Sequence, residues 1–318
     1  MANYVLNGIM GLCVADALGV PVEFMDRNTL ADNPVVGMRA YGTYNQPAGT
    51  WSDDTSMTLC LADSLSRGLN YNDIMQNFLK WFKKGEFTPF GSAFDIGNTT
   101  RQALKRLEQG AAPLECGGNT EYDNGNGSLM RILPLLFYLQ SVYGREFYQE
   151  DEAFAVIHKV SALTHAHKRS QIACGLYISV AAMLPGEMNL KEAVNLGIGK
   201  AMEYYQNQEG FVEELKFYNR LKDKDFADLP SESIRSGGYV VSTLEAAIWC
   251  LLNTENYKDC VLKAVNLGSD TDTVAAVAGG LAGLKYGYTA IPQDWLGVIV
   301  KREYIESLCN QFYFAITR

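Results

Sequence analysis

The sequence predicts one all-α domain, and three observations carry that prediction. Apolar residues recur at the three- and four-residue spacing of a buried helix face, as in Val241, Leu244, Ile248 and Leu251, or Phe154, Ile157, Val160 and Leu163. No series of alternating strands accompanies them. No interval reads as an interdomain linker and no internal repeat is visible, so the expectation is a single compact multi-helix domain over residues 1–318.

The elements follow in order. The first stripe, residues 4–18, is apolar with Asp16 inside it, and Asp16 reads as a buried hydrogen-bonding residue that holds a neighbouring loop. The second, 54–67, opens at Ser52-Asp53-Asp54-Thr55 and runs through Met57, Leu59, Leu61 and Leu65. Stripes at 71–83 and 99–109 come next. The 128–142 stripe contains Pro134, which marks a kink or an early first turn because proline lacks the N–H a helix interior needs. Further stripes cover 154–163, 170–184, 241–251 and 258–267, and a last one starts at Asp270-Thr271-Asp272-Thr273 and continues through Val274, Val277, Leu281 and Leu284. The connections at 25–51, 84–98, 110–127 and 206–238 are long, and loops of such length in a compact domain tend to carry function. The segment 206–238, rich in Lys, Glu and Asp, reads as a solvated insertion.

Bulk properties exclude several classes. A net charge of −9, with no long basic run, argues against an extended nucleic-acid surface or binding to anionic lipid. The N-terminus lacks a basic n-region, and the longest uncharged apolar stretch, Ile172 to Leu184, is too short to span a bilayer. Seven cysteines without CxxC spacing read as buried thiols of a reducing cytoplasm, which is the expected location.

The two acidic clusters carry the chemistry. Each crowds carboxylates and hydroxyls at a helix start, and carboxylates packed so tightly repel one another unless a cation lies among them. Asp, Ser and Thr are also ordinary N-caps. One cap needs one side-chain oxygen, however, and each segment offers three or four. Brought together, they can supply Ser52, Asp53, Asp54, Asp270, Asp272 and Thr273 to a pair of metal ions.

Six segments in order resemble one known family. Asp16-Ala-Leu-Gly19-Val-Pro21-Val-Glu23-Phe24 is similar to the GDALGxPxEF signature of the ADP-ribosylglycohydrolases. Trp51 to Met57, Phe94 to Thr100, Gly125 to Arg131, Thr164-His165-Ala166-His167 and Gly268 to Val274 resemble its later motifs, over about residues 4–290. The bacterial branch that includes the dinitrogen-reductase-activating glycohydrolase is the most similar. Ala15 and Ser269 stand where the family commonly has Gly, and Ser52 where Thr is frequent; none of these removes a ligand.

The resemblance implies an all-helical, cytoplasmic hydrolase that binds two Mg²⁺ or Mn²⁺ ions through the six residues above and releases ADP-ribose by cleaving the ribose C1 bond. The substrate partner is then an ADP-ribosylated protein or a small ADP-ribosyl compound. All-oxygen ligands suit those ions and disfavour zinc. Glu23 matches the family's first-motif Glu and is the leading candidate for proton transfer, with Asp95 the second. Substrate-binding residues implied are Asn98, the Gly125-Asn126-Gly127-Ser128 cradle, Met130 and His165. Glycines let backbone N–H groups approach an anion, and a helix beginning at Ser128 would add its positive end. Arg131 reads as a structural ion-pair partner or a phosphate ligand, and His158 as structural. Trp51 and Phe94 read as core or pocket wall. The aglycone, the choice between Mg²⁺ and Mn²⁺ and the oligomeric state stay open, as do two alternatives: a dimetal hydrolase of another nucleotide or ribosyl compound, and a non-catalytic relative that binds ADP-ribose or serves structurally.

Overall fold

Helix follows helix through the computed structural model, which describes residues 3–317. In chain order they are α1 (Tyr4–Gly19), α2 (Arg27–Asp32), α3 (Asp53–Leu65), α4 (Tyr71–Lys84), α5 (Asn98–Glu108), α6 (Pro134–Tyr143) and α7 (Asp151–Ala162). After these come α8 (Lys168–Met183), α9 (Leu190–Gln206), α10 (Val240–Leu252), α11 (Tyr257–Val265), α12 (Thr271–Tyr286), α13 (Gln293–Val298) and α14 (Arg302–Ile316). Among the described residues there is no strand, only isolated bridges. The fold is all-α and one domain.

At its centre α1 lies along α12, the most extensive helix pair in the molecule. Small residues make that approach possible. A Cβ on Gly11 would come within 2.4 Å of the Gly279 carbonyl oxygen, and one on Gly19 within 2.4 Å of the Asp272 Cα. The Thr271 hydroxyl donates to the Gly19 carbonyl at 2.8 Å. The end of α1, which leads into Glu23, is therefore pressed against the start of α12, which carries the second acidic cluster. Residues Tyr4–Val22 are long and apolar enough to cross a membrane, but 89% of an 18-residue window within them is buried inside the fold.

Three expectations change. Pro134 is the first residue of α6, and Ser128–Leu133 is a run of turns, so no helix begins at Ser128. Proline lacks the N–H with which a continuous helix would bond the Met130 carbonyl. The segment 206–238 is not simply a solvated insertion. A 3-10 turn at Leu215–Lys222 buries Leu215, Tyr218 and Leu221, and Phe226 and Ile234 are buried beyond it. The helix α9 lay outside the predicted stripes because Gly197 and Gly199 dilute its apolar face. Gly197 is nonetheless what lets α9 meet α8, since a Cβ there would sit 2.5 Å from the Val180 Cα.

Candidate active site

Asp16 organises the first cluster. Its carboxylate accepts from the Ser52 N–H at 3.0 Å, the Thr55 N–H at 3.1 Å and the Thr55 hydroxyl at 2.6 Å. A buried side chain of α1 thus supplies the acceptor that fixes the start of α3. Ser52 is the N-cap, its hydroxyl accepting from the Asp54 N–H at 3.3 Å. With the cap provided by Ser52, Asp53 and Asp54 are left buried within the first turn without a capping task.

The second cluster arrives from the other side. Phe24 and Ser269 both adopt left-handed backbone, with φ of 65° and 67°. They lace the two segments together, Phe24 N–H to the Ser269 carbonyl and Ser269 N–H to the Met25 carbonyl, each at 2.7 Å. Non-glycine residues in that region are costly, and such strain concentrates at functional sites. Asp270 makes no side-chain cap bond; it accepts from Asn126 Nδ2 at 2.8 Å. Asp272 accepts from the Thr273 N–H at 2.8 Å, and the Thr273 hydroxyl donates to Asp54 at 3.2 Å.

Electrostatics mark the centre as one that wants positive charge. Burial first, then neighbouring carboxylates, hold Asp53, Asp54 and Asp272 well above the usual carboxylate range. Burial also raises Asp270, with the Asn126 hydrogen bond opposing it. Asp54 Oδ1, Asp272 Oδ2 and Glu23 Oε2 are buried without a hydrogen-bond partner. Leaving such atoms unpaired is expensive unless something else binds them. Oxygen atoms of Asp16, Asp54 and Asp272 lie within 4.8 Å of one another, as do those of Glu23, Asp95 and Asp272. Asp16 is already engaged with Ser52 and Thr55, so the open atoms belong to the other residues. These buried acidic clusters can bind a metal, and their donors are all oxygen.

A cleft of about 280 Å³ opens over this centre. Glu23, Asp53, Asp95, Asp270 and Thr273 reach its surface, while Ser52, Asp54 and Asp272 lie behind them. Burial, followed by the charge of Asp95, pushes Glu23 up to about 9. Asp95 has left-handed backbone, φ 54°, and accepts from the Tyr44 hydroxyl at 2.6 Å. Burial and hydrogen bonding to Asp95 hold that phenol protonated, far above its usual range, so it acts as a donor. Asn98 begins α5 at the same wall, next to Thr99 and Thr100.

Opposite lies the glycine loop. Its backbone is clamped by Asn126 N–H to the Gly238 carbonyl and Val240 N–H to the Asn124 carbonyl, both at 3.0 Å. A Cβ on Gly127 would meet His165 Cε1 at 2.8 Å, so the loop and the imidazole are in direct contact. His165 Nδ1 pairs with the Thr164 hydroxyl at 2.8 Å. Burial, then Arg131, lowers His165 to about 3, so it meets the cleft as a neutral imidazole. Met130 also lines the cleft. Ser128 does not: it is buried, and its hydroxyl accepts from Ser161 at 2.9 Å. Arg131 is fully buried, donates to the carbonyls of Gly127 and Val160 and lies over the Phe78 ring, so it supports the loop from behind. Trp51 is fully buried core.

Two contributors fell outside the sequence reading. Gly238 lines the cleft from the segment taken as an insertion, and its only cue was the Gly237-Gly238 pair. Tyr44 sits in the long 25–51 connection, where no motif singles it out.

Comparison with known proteins points to one family. A model of the family described as ADP-ribosylglycohydrolase matches residues 2–318. The chain is 34% identical to "ADP-ribosylarginine hydrolase Tri1" of Serratia proteamaculans over 97% of its own length and 78% of that protein's. It is 30% identical to the "ADP-ribosyl-[dinitrogen reductase] glycohydrolase" of Rhodospirillum rubrum, covering 94% of this chain and 92% of that one. A solved structure titled "ADP-ribosylglycohydrolase-related protein complex" superposes with a TM-score of 0.77 at 30% identity, over 99% of this chain and 98% of the other.

Proposed function

The chain belongs to the ADP-ribosylglycohydrolase family and is a hydrolase of ADP-ribosylated substrates, and from that premise we propose that it frees arginine side chains of proteins from ADP-ribose. Two relatives named as ADP-ribosylarginine hydrolases, at 34% and 32% identity, favour that linkage. The observation that carries the reading is the convergence of Glu23, Asp95 and Asp272 within 4.8 Å at the cleft, with Glu23 Oε2 unpartnered.

Ser52, Asp53, Asp54, Asp270, Asp272 and Thr273 would hold two divalent ions, Mg²⁺ or Mn²⁺, and the orphaned oxygens of Asp54 and Asp272 fit that role. When bound, such ions supply positive charge that orients the ribose 2- and 3-hydroxyls. The protein's own residues do the rest. Gly125, Asn126 and Gly127 offer a backbone surface to the sugar and diphosphate, with the neutral His165 imidazole and Asn98 beside it. Glu23 holds the attacking water and moves its proton. In the hydrolysis the water oxygen bonds to C1, the C1–N bond breaks, and a proton passes to the departing guanidine nitrogen. Burial is the larger cause of Glu23's raised value, and cations among the neighbouring carboxylates would lower it toward the range suited to a group that takes and gives a proton. Asp95 faces the leaving guanidinium as its counter-charge. The seven buried free thiols accord with a cytoplasmic setting.

The test is release of ADP-ribose from arginine-, serine- and acetyl-linked substrates, with Mg²⁺ or Mn²⁺ and with chelator. Release from the arginine linkage, lost on chelation, is expected. Preference for another linkage overturns the substrate assignment. Free ADP-ribose should raise the thermal midpoint in a cation-dependent way, and AMP much less, because only ADP-ribose carries the distal ribose. Equal shifts with AMP would favour hydrolysis of a different nucleotide. Binding of ADP-ribose without release from any substrate would identify a non-catalytic relative.

A further inference from the structure

Tyr44 reaches the acid pair from a turn built to deliver it. Across residues 41–46, Tyr41 N–H bonds the Gln46 carbonyl at 2.5 Å and Asn45 N–H bonds the Gly42 carbonyl at 3.1 Å. Tyr41, Gly42 and Asn45 all have left-handed φ, at 66°, 66° and 52°. A turn so contorted needs anchoring, and its anchors lie on the segment that bears Glu23. The Thr43 hydroxyl donates to the Glu23 carbonyl at 2.7 Å, and Gly42 lies so close to Pro21 that a Cβ would fall 1.9 Å from its carbonyl oxygen. From this platform the Tyr44 hydroxyl donates to Asp95 Oδ1 at 2.6 Å, while its ring packs on Phe94 at 5.1 Å between centroids.

We propose that Tyr44 is the positioning residue of Asp95: by occupying Oδ1 it fixes the orientation of the carboxylate toward the departing group. This rests on the hydrolase reading above. Glu23 and Asp95 are acidic side chains brought close beside Asp272, and carboxylates crowded in this way repel one another when ionised. Asp95 leaves the helical and extended backbone regions, so its direction is not set by regular structure. A neutral donor tethered to the Glu23 backbone holds one carboxylate at a defined place relative to the other. The ring's packing on Phe94 is a separate matter, and phenylalanine would keep it.

Tyr44→Phe in the full chain, assayed with Mn²⁺ on arginine-linked ADP-ribose, separates the two roles. The expected result is a kcat lower by about 10- to 100-fold, the scale of a misplaced catalytic group, with KM and ADP-ribose affinity within about twofold. The double variant Tyr44→Phe with Asp95→Asn should be no slower than Asp95→Asn alone, because the hydroxyl acts through that carboxylate. Thr43→Val, which cuts the tether and leaves the phenol, should lower kcat in the same sense and serves if Tyr44→Phe fails to fold. Wild-type kcat in Tyr44→Phe, losses that multiply in the double variant, or a fall confined to KM would each overturn the role. An active wild type with an unaffected Tyr44→Phe removes only this inference. A wild type that releases nothing from any linkage removes the function and this inference together.

Discussion

The hydroxyl of Thr273 donates to the Asp54 carboxylate at 3.2 Å, although 219 positions separate them in the chain. One acidic cluster thereby touches the other, and the contact follows from packing. α1 contributes Asp16 to the start of α3 and a bare Gly19 to the start of α12, so both helix N-termini are referred to a single apolar helix. Positive helix ends pointed at one place partly offset the gathered negative charge. The orphaned atoms of Asp54 and Asp272 show that the offset is incomplete.

Neutralising one carboxylate should therefore exchange metal affinity for metal-free stability. Asp272→Asn keeps an oxygen for the Thr273 N–H and removes a charge from a buried group that neighbouring carboxylates disfavour. Its thermal midpoint in chelator should exceed that of the wild type at pH 7. The wild type should gain about 2.7 kcal/mol at Mn²⁺ one hundred times its Kd, and the variant far less. Equal gains in both would remove Asp272 from the metal site. Activity should fall severely with the helical signal unchanged.

Gly19 tests the packing behind the site. Alanine there places a methyl 2.4 Å from the Asp272 Cα, a backbone atom that cannot turn aside. Overpacking of this kind costs about 1–3 kcal/mol, so Gly19→Ala should lower the midpoint and also weaken the stabilisation by Mn²⁺. A variant that loses stability but keeps the full Mn²⁺ shift would show that the α1–α12 contact does not set the cluster geometry.

A pH effect should come from His158, remote from the acidic centre. Its Nε2 pairs with the Tyr205 hydroxyl at 2.9 Å, its ring stacks on Phe211, and Lys168 lies nearby. Burial, then Lys168, lowers it from 6.5 to about 3. The folded pKa is depressed, so the neutral buried ring contributes stability in full above pH 6.5, and that stability drains away as pH falls toward 3. The loss approaches about 1.4 kcal/mol per pH unit for one group. His165, also lowered to about 3, adds to the slope. His158→Gln should flatten midpoint against pH between 6.5 and 4 by about one proton's worth; an unchanged slope would refute the assignment.

How much of this was legible in the sequence depends on where the cause lies. The acidic clusters were visible because their residues are contiguous and exceed what a cap requires. Helices with clear stripes were visible for the same local reason. Gly238 and Tyr44 were not, because what places them is a clamp to the Asn126 N–H and a turn anchored on Pro21 and Glu23, contacts between distant segments. Ser128 was misplaced toward the cleft because a helix start was read there, whereas Pro134 delays it and turns the hydroxyl to Ser161. A glycine-diluted face such as that of α9 looks weak in sequence because its apolar surface is supplied partly by backbone contact.

Glu23 gives the sharpest division between an enzyme and a binder. Its Oε2 is buried without a partner, its backbone carbonyl is held by Thr43, and its carboxylate sits beside Asp95 and Asp272. Glu23→Gln keeps the volume and removes the ability to carry the proton through both steps, so turnover should drop by roughly 10²–10⁴-fold. Affinity for ADP-ribose should change little, since the glycine loop, His165 and the acidic centre are untouched. Removing a buried carboxylate among like charges should also leave the metal-free fold as stable as before, or more so. If turnover survives, the proton passes through Asp95, and Asp95→Asn should then abolish it. If ADP-ribose binding collapses with turnover, Glu23 serves to bind substrate, and proton transfer needs another group.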